Sequence, residues 1–328
     1  MLHVGELVMV GLDRPRVTDG LARLLQQRDL GGLFLFGAAL GSEGDTAALT
    51  TEARSTSRVP LLIAIDQEGG RLQEWGPPHR EPLPRAADLG ARFAASGDPE
   101  VVLSTARRAG RELRAGGITV DFAPVLDVHT NPSNPIIGDR SFGADPELVG
   151  EVGRLFIQGL HEERVAACGK HFPGHGDTAQ DSHRTLPVVA HDAARLQRVE
   201  LVPFSRAIAA GLRMIMTAHV LYPALDPERP ATVSPAIVQN LLRQRLAFDG
   251  VVVTDDLKMQ GIRDEYDLLE GGLAALEAGC DLLLTATEFD RHEMLLEGLE
   301  KALRDRRLSE ARVAESVTRV ERLKRWLA

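Results

Sequence analysis

The sequence predicts an α/β protein, a single (β/α)8 TIM barrel, on three observations. Eight short apolar runs alternate with longer amphipathic stretches, several of the runs are continuous in Val, Ile and Leu, and no linker or low-complexity segment divides the 328 residues. The runs are Leu7–Leu12, Gly32–Phe36, Leu61–Asp66, Ile118–Leu126, Ala166–His171, Met214–His219, Gly250–Asp255 and Asp281–Thr285. Continuous branched apolar runs fit parallel strands covered on both faces, and a doubly wound sheet is the other arrangement with this alternation. Between the runs, Asp98-Pro99-Glu100 and Asp145-Pro146-Glu147 each set a capping carboxylate before a proline, which announces a helix. After the second signal, Leu148, Val149, Val152, Leu155, Phe156 and Leu160 recur at helical spacing, and so do Val313, Val317, Val320 and Leu327 near the end. Residues 1–328 are therefore expected to form one catalytic barrel domain, with no second domain.

Composition narrows the function. Hydrophobic residues make up 44% and the formal net charge is −9, with no long Lys/Arg run, so a nucleic-acid partner is not expected. The first residues lack a basic and apolar leader, and no stretch is long and apolar enough to span a membrane, which predicts a soluble cytoplasmic protein with no membrane association. No obligate protein partner is evident. The two cysteines, Cys168 and Cys280, each lie in an apolar run and read as buried thiols, with no disulfide or structural zinc framework.

A barrel places its reactive groups on the loops that follow its strands, so the polar residues ending the apolar runs are the candidates. These are Asp66, Asp127, Lys170 with His171, His219, and Asp255 with Asp256. The densest chemistry lies in Lys170–His183, where three imidazoles, two carboxylates and an ammonium share fourteen residues with Pro173, Gly174 and Gly176. Alternation along Val251–Asp256 points one of the two terminal carboxylates into the barrel mouth, where it can act as a nucleophile, a metal ligand or a helix cap. Asp181 and His183, two residues apart, suit an acid/base dyad in which the carboxylate orients the imidazole; a plain turn with a solvated His has the same spacing. His171, His175 and His183 do not form a persuasive metal site, because Pro173, Gly174 and Gly176 keep them off a common helical face. Asp66 precedes Gln67-Glu68-Gly69-Gly70-Arg71, where a carboxylate at a strand end can accept from paired sugar hydroxyls. Arg140 brings a guanidinium to the loop after the fourth run.

Taken together, Ile65–Arg71, Ile137–Gly143, Lys170–Gly176 with Asp181-Ser182-His183, and Thr254–Leu257 resemble the motifs of glycoside hydrolase family 3, in family order over roughly residues 5–290. The bacterial β-N-acetylhexosaminidase branch is the most similar. The resemblance implies a retaining mechanism with Asp255 as nucleophile and His183, oriented by Asp181, as acid/base. It places Asp66, Arg140, Lys170 and His171 on a terminal N-acetylglucosamine, and it requires no cofactor and no metal. Asp256 is expected to support its loop. The implied activity is removal of terminal N-acetylglucosamine from muropeptide or chitin-derived fragments. A phosphorylase, a β-glycosidase of altered specificity, a non-enzymatic sugar-binding barrel and a metal-dependent hydrolase are the alternatives. One departure stands out. The branch commonly carries an arginine shortly after Gly-Gly-Arg, where this chain has Glu74, so Arg71, Arg80 or a different sugar orientation is expected to compensate.

Overall fold

The computed structural model describes residues 3–76, 81–182, 185–286 and 289–328. Eight parallel strands form one sheet: β1 (Val8–Leu12), β2 (Gly32–Leu35), β3 (Leu62–Ile65), β4 (Val120–Asp121), β5 (Ala166–Phe172), β6 (Met214–Thr217), β7 (Val251–Thr254) and β8 (Leu283–Thr285). Neighbours in sequence are neighbours in the sheet, and β8 pairs with β1 in the register Val8↔Leu283. The ring closes through a Val253↔Leu282 bridge, with the Thr254 N–H donating to the Leu282 carbonyl at 3.0 Å. Every apolar run of the sequence contributes one strand to this barrel.

The strands are apolar on both sides because each side meets a different core. Met9, Leu62, Ala64, Val120, Phe122, Met214, Met216 and Leu284 fill the barrel interior. Their alternating neighbours, among them Val8, Val10, Ile63, Ile65, Ile215 and Leu283, pack outward against the helices. The second proline-flanked helix start forms as read, whereas in the first the helix begins one residue later, at Glu100, with Pro99 as its cap residue. Asp98 accepts from the Glu100 N–H at 2.9 Å ahead of the helix Glu100–Ala115, and Asp145 accepts from the Glu147 N–H at 3.0 Å ahead of Pro146–Glu162. Val149, Val152, Leu155, Phe156 and Leu160 of the second helix are buried. Along the last helix, Glu310–Leu327, Val320, Leu323 and Leu327 join the interior cluster.

The fourth run departs from its expected extent. Only Val120 and Asp121 form ladder strand, where pairing with β5 runs Asp121↔Ala167, and the register has slipped by one residue once Pro124 is passed. Beyond it the chain stays beside β5 through a Val125↔Lys170 bridge, with the Leu126 N–H donating to the Lys170 carbonyl at 2.7 Å. After β3 the chain folds back as a short antiparallel pair, Gln67–Gly69 with Leu72–Gln73. Gly69 and Gly70 turn it at φ of +92° and +59°, which glycine adopts without penalty. Among the described residues, no helix is long and apolar enough to cross a membrane.

Candidate active site

The loops following the strands enclose a cleft of about 400 Å³ at the barrel mouth. Its floor is apolar, made of Phe34, Phe122, Met216 and Leu284, and its walls carry Asp66, Arg71, Arg140, Lys170, His171, His175, Ser182, Asp255 and Asp256. An apolar floor beneath convergent polar groups is the usual build of a small-molecule site.

On the β3–β5 side the charges are locked together. Lys170 Nζ lies 2.5 Å from Asp66 Oδ1 and 2.6 Å from Glu68 Oε1, and the Arg140 guanidinium grips both oxygens of Glu68 at 2.8 Å. Glu68, Arg140 and Lys170 are buried, while Asp66 remains partly open to the cleft. Burial opposes the charge on Glu68, but Lys170 and Arg140 outweigh it and hold the carboxyl well below the ordinary range. Burial likewise opposes the charge on Lys170, and Asp66 with Glu68 keeps it an ammonium. The outcome is a fixed set of donors beside a carboxylate that still faces the cleft.

Asp127, after β4, organises the loop that follows β5. It takes the His171 Nδ1–H at 2.7 Å and the backbone N–H groups of His171 and His175 at 3.2 and 2.6 Å. Burial pushes the Asp127 carboxyl up, and the His171 and His175 rings pull it below its usual value. With Nδ1 on Asp127, the His171 ring lines the cleft, and among the described residues no hydrogen bond engages its Nε2. The buried His175 places Nδ1 2.8 Å from Thr178 Oγ1 and Nε2 3.1 Å from Ser182 Oγ, which leaves neither nitrogen for a metal. Burial lowers the His175 pKa to about 4, helped by the neighbouring His171, so the ring is neutral at pH 7. Further along, Asp177 accepts from Thr130 Oγ1 and from His191 Nε2, each at 2.7 Å, so the loop has a second anchor. Among the described residues, Asp177, His191 and Glu200 are the group whose ligand atoms cluster within 4.8 Å as a metal would require. The Arg195 guanidinium already spans that group, 3.4 Å from both carboxylates.

Across the mouth, Asp255 and Asp256 end β7. Burial would raise Asp255, but His219 and His171 lead the interactions that bring it below the usual carboxylate value, so it stays ionised. The Asp256 N–H donates to Asp255 Oδ1 at 2.8 Å. Asp256 itself accepts from the N–H groups of Lys258 and Ala286 at 3.0 and 3.2 Å, which ties the β7 loop to the β8 loop. Burial raises its carboxyl. His219 holds the Asp256 carbonyl at 3.2 Å through Nε2.

The structure thus brings Asp66, Arg140, Lys170, His171 and Asp255 around one cleft, together with Ser182, the neighbour of Asp181. The Asp181 carbonyl accepts from the Thr185 N–H at 3.0 Å. His183 and Arg80 lie outside the described residues. Arg71 lines the cleft, held by Asp139 Oδ1 at 3.0 Å and by the Ile136 carbonyl at 2.6 Å, whereas Glu74 is exposed and does not line it. Two organising residues carried no assigned role in the sequence reading. Glu68 had a usable signal, since it lies two residues from Asp66 and so shares its side of an extended chain. Asp127 was recognisable as a run end, but its three donors come from 44 to 48 residues away.

Comparison with known proteins follows the same lines. The model of the glycosyl hydrolase family 3 N-terminal domain matches residues 2–323. β-Hexosaminidase of Methylococcus capsulatus is 41% identical over 296 residues, which are 89% of this chain and 86% of that protein. β-Hexosaminidase A of Pseudoalteromonas piscicida is 36% identical over 93% of this chain, and the chain spans 54% of that longer relative. The structure of a family 3 β-N-acetylglucosaminidase from Paenibacillus sp. FPU-7 superposes with a TM-score of 0.95 at 42% identity, over 99% of this chain and 62% of that one. On fold, on the order of the motifs and on these matches, the chain belongs to glycosyl hydrolase family 3.

Proposed function

We propose that the chain is the catalytic barrel of a retaining, exo-acting β-N-acetylglucosaminidase. The observation that carries this is an ionised Asp255 facing, across one cleft, the Asp66/Lys170/Arg140 cluster that can grip sugar hydroxyls. In the first step Asp255 attacks the anomeric carbon, the bond from that carbon to the leaving oxygen breaks, and His183 gives its proton to that oxygen. In the second, His183 takes a proton from water, which attacks the anomeric carbon and frees Asp255. Asp181 orients His183 and favours its protonated form. Asp66, Arg140, Lys170 and His171 hold the terminal sugar, and Arg71 takes the contact that Glu74 cannot make. An imidazole suits this acid/base cycle because it titrates near neutrality and adds no second anion beside the nucleophile. Muropeptide or chitin-derived fragments in the cytoplasm are the proposed substrates, with no metal or organic cofactor.

The test is release of an aryl alcohol from its β-N-acetylglucosaminide and from its β-glucoside, with and without inorganic phosphate, for the native chain and Asp255→Asn. Turnover of the N-acetylglucosaminide that is indifferent to phosphate and lost in the variant is the expected result. Phosphate acceleration with formation of sugar 1-phosphate would make the chain a phosphorylase. Full activity of Asp255→Asn would place the nucleophile elsewhere.

A further inference from the structure

Ser182 directly precedes His183 in the chain, and it is held from two sides. It lies buried in the wall of the sugar cleft. Its Oγ is 3.1 Å from His175 Nε2, and its carbonyl accepts from the Gly261 N–H at 3.0 Å. Thr178 gives the first of these bonds its direction. The Thr178 hydroxyl has one hydrogen, which goes to the His175 carbonyl at 3.2 Å, so in the 2.8 Å contact with His175 Nδ1 the ring is the donor. The neutral imidazole then has Nε2 as its acceptor, and the Ser182 O–H donates to it.

Both partners of Ser182 lead to groups at the barrel mouth. His175 hangs on Asp127, which takes its backbone N–H at 2.6 Å and the His171 ring at 2.7 Å. Gly261 lies in the short helix Gln260–Arg263 that follows Asp255, and the Met259 N–H closes the turn between them on the Asp256 carbonyl at 2.9 Å. Only glycine permits so close an approach. A Cβ at 261 would lie 2.9 Å from the Ser182 carbonyl oxygen, 3.1 Å from that of Thr185 and 3.3 Å from that of His219. Ser182 and Thr185, on either side of His183, therefore rest against the loop that carries Asp255. The Thr185 N–H, donating to the Asp181 carbonyl at 3.0 Å, draws those two sides together.

We propose that Ser182 is a positioning residue for the acid/base: its bonds to His175 and to Gly261 fix where the backbone enters His183 relative to Asp255. Acid and nucleophile must serve one anomeric carbon, and a displacement of about 1 Å lowers the rate on the order of a hundredfold. This inference rests on the proposed function, since it needs His183 to be the acid.

The experiment measures kcat/KM for the phenyl and dinitrophenyl β-N-acetylglucosaminides in the native chain, Ser182→Ala, Gly261→Ala and His183→Ala. This constant reports the first, acid-assisted step; phenol needs the proton to leave, and dinitrophenolate leaves with little help. Ser182→Ala and Gly261→Ala are each expected to lose about tenfold or more on the phenyl glycoside beyond any loss on the dinitrophenyl one, a weaker form of the bias in His183→Ala. A merely structural role would lower both substrates alike. If His183→Ala shows the bias and Ser182→Ala does not, the positioning role is overturned and the functional reading stands. Equal losses in His183→Ala remove the acid role and the positioning role with it. Unfolding transitions check folding, and if Ser182→Ala does not fold, Gly261→Ala decides by the same ratio.

Discussion

Glu68→Gln replaces the carboxylate on which two buried cations converge. In the native structure Glu68 accepts twice from Arg140 at 2.8 Å and lies 2.6 Å from Lys170 Nζ, with all three side chains buried. Asp66 still holds Lys170, but Arg140 loses the partner that offsets its burial. Removing one member of such a buried pair costs about 3–5 kcal/mol, because the remaining charge is left desolvated and uncompensated. With a urea slope of about 3 kcal/mol per M, the midpoint is expected to fall by about 1 M or more. The folded carboxyl lies below its ordinary pKa, so this contribution is complete above the unfolded value of about 4.3 and is lost as pH falls through the folded value. The gap between native and variant is therefore expected to be constant near pH 7 and to narrow below about pH 4. The assay is equilibrium urea unfolding at several pH values, paired with KM for the aryl N-acetylglucosaminide, which is expected to rise as Arg140 and Lys170 lose their positions. A variant within about 1 kcal/mol of native at pH 7, with unchanged KM, would refute the reasoning.

Three further outcomes are expected. Asp127→Asn removes the negative acceptor of His171 Nδ1–H and of two backbone N–H groups, so kcat/KM should fall by about tenfold to a hundredfold, and kinetics equal to native would count against Asp127 as organiser of the loop. His175 stays neutral when folded down to a pKa of about 4, so the unfolded chain binds the extra proton between pH 6.5 and 4, and native stability should fall by about 3 kcal/mol across that window. In His175→Gln that acid slope should be shallower, as read by urea midpoints at pH 7 and pH 4.5. His183→Ala should spare an activated aryl glycoside far more than a natural disaccharide, and equal losses on both would contradict an acid role.

Much of the architecture was legible because a parallel barrel writes itself into sequence. Each strand is buried on both faces, so runs such as Leu61–Asp66 and Gly250–Asp255 read as unbroken apolar segments that end in a carboxylate. The capped starts at Asp98 and Asp145 were equally plain, because a cap is a contact across two residues. The length of β4 was not, since its pairing with β5 slips by one residue between Asp121↔Ala167 and Val125↔Lys170, and register is set across strands. Asp66, Lys170, His171 and Asp255 were legible at the site as polar residues closing apolar runs.

The sequence by itself determined the strand count, the family motifs and the residue types available to the chemistry, because those are set by local pattern and spacing. Only the tertiary structure decided which charges neutralise one another. Glu68 meets Arg140 across 72 residues, Lys170 reaches Asp66 across 104, and Asp127 gathers donors from the β5 loop. The physical reason is that ring closure brings strands distant in sequence around one mouth, and no local pattern encodes which side of a ring lies opposite another.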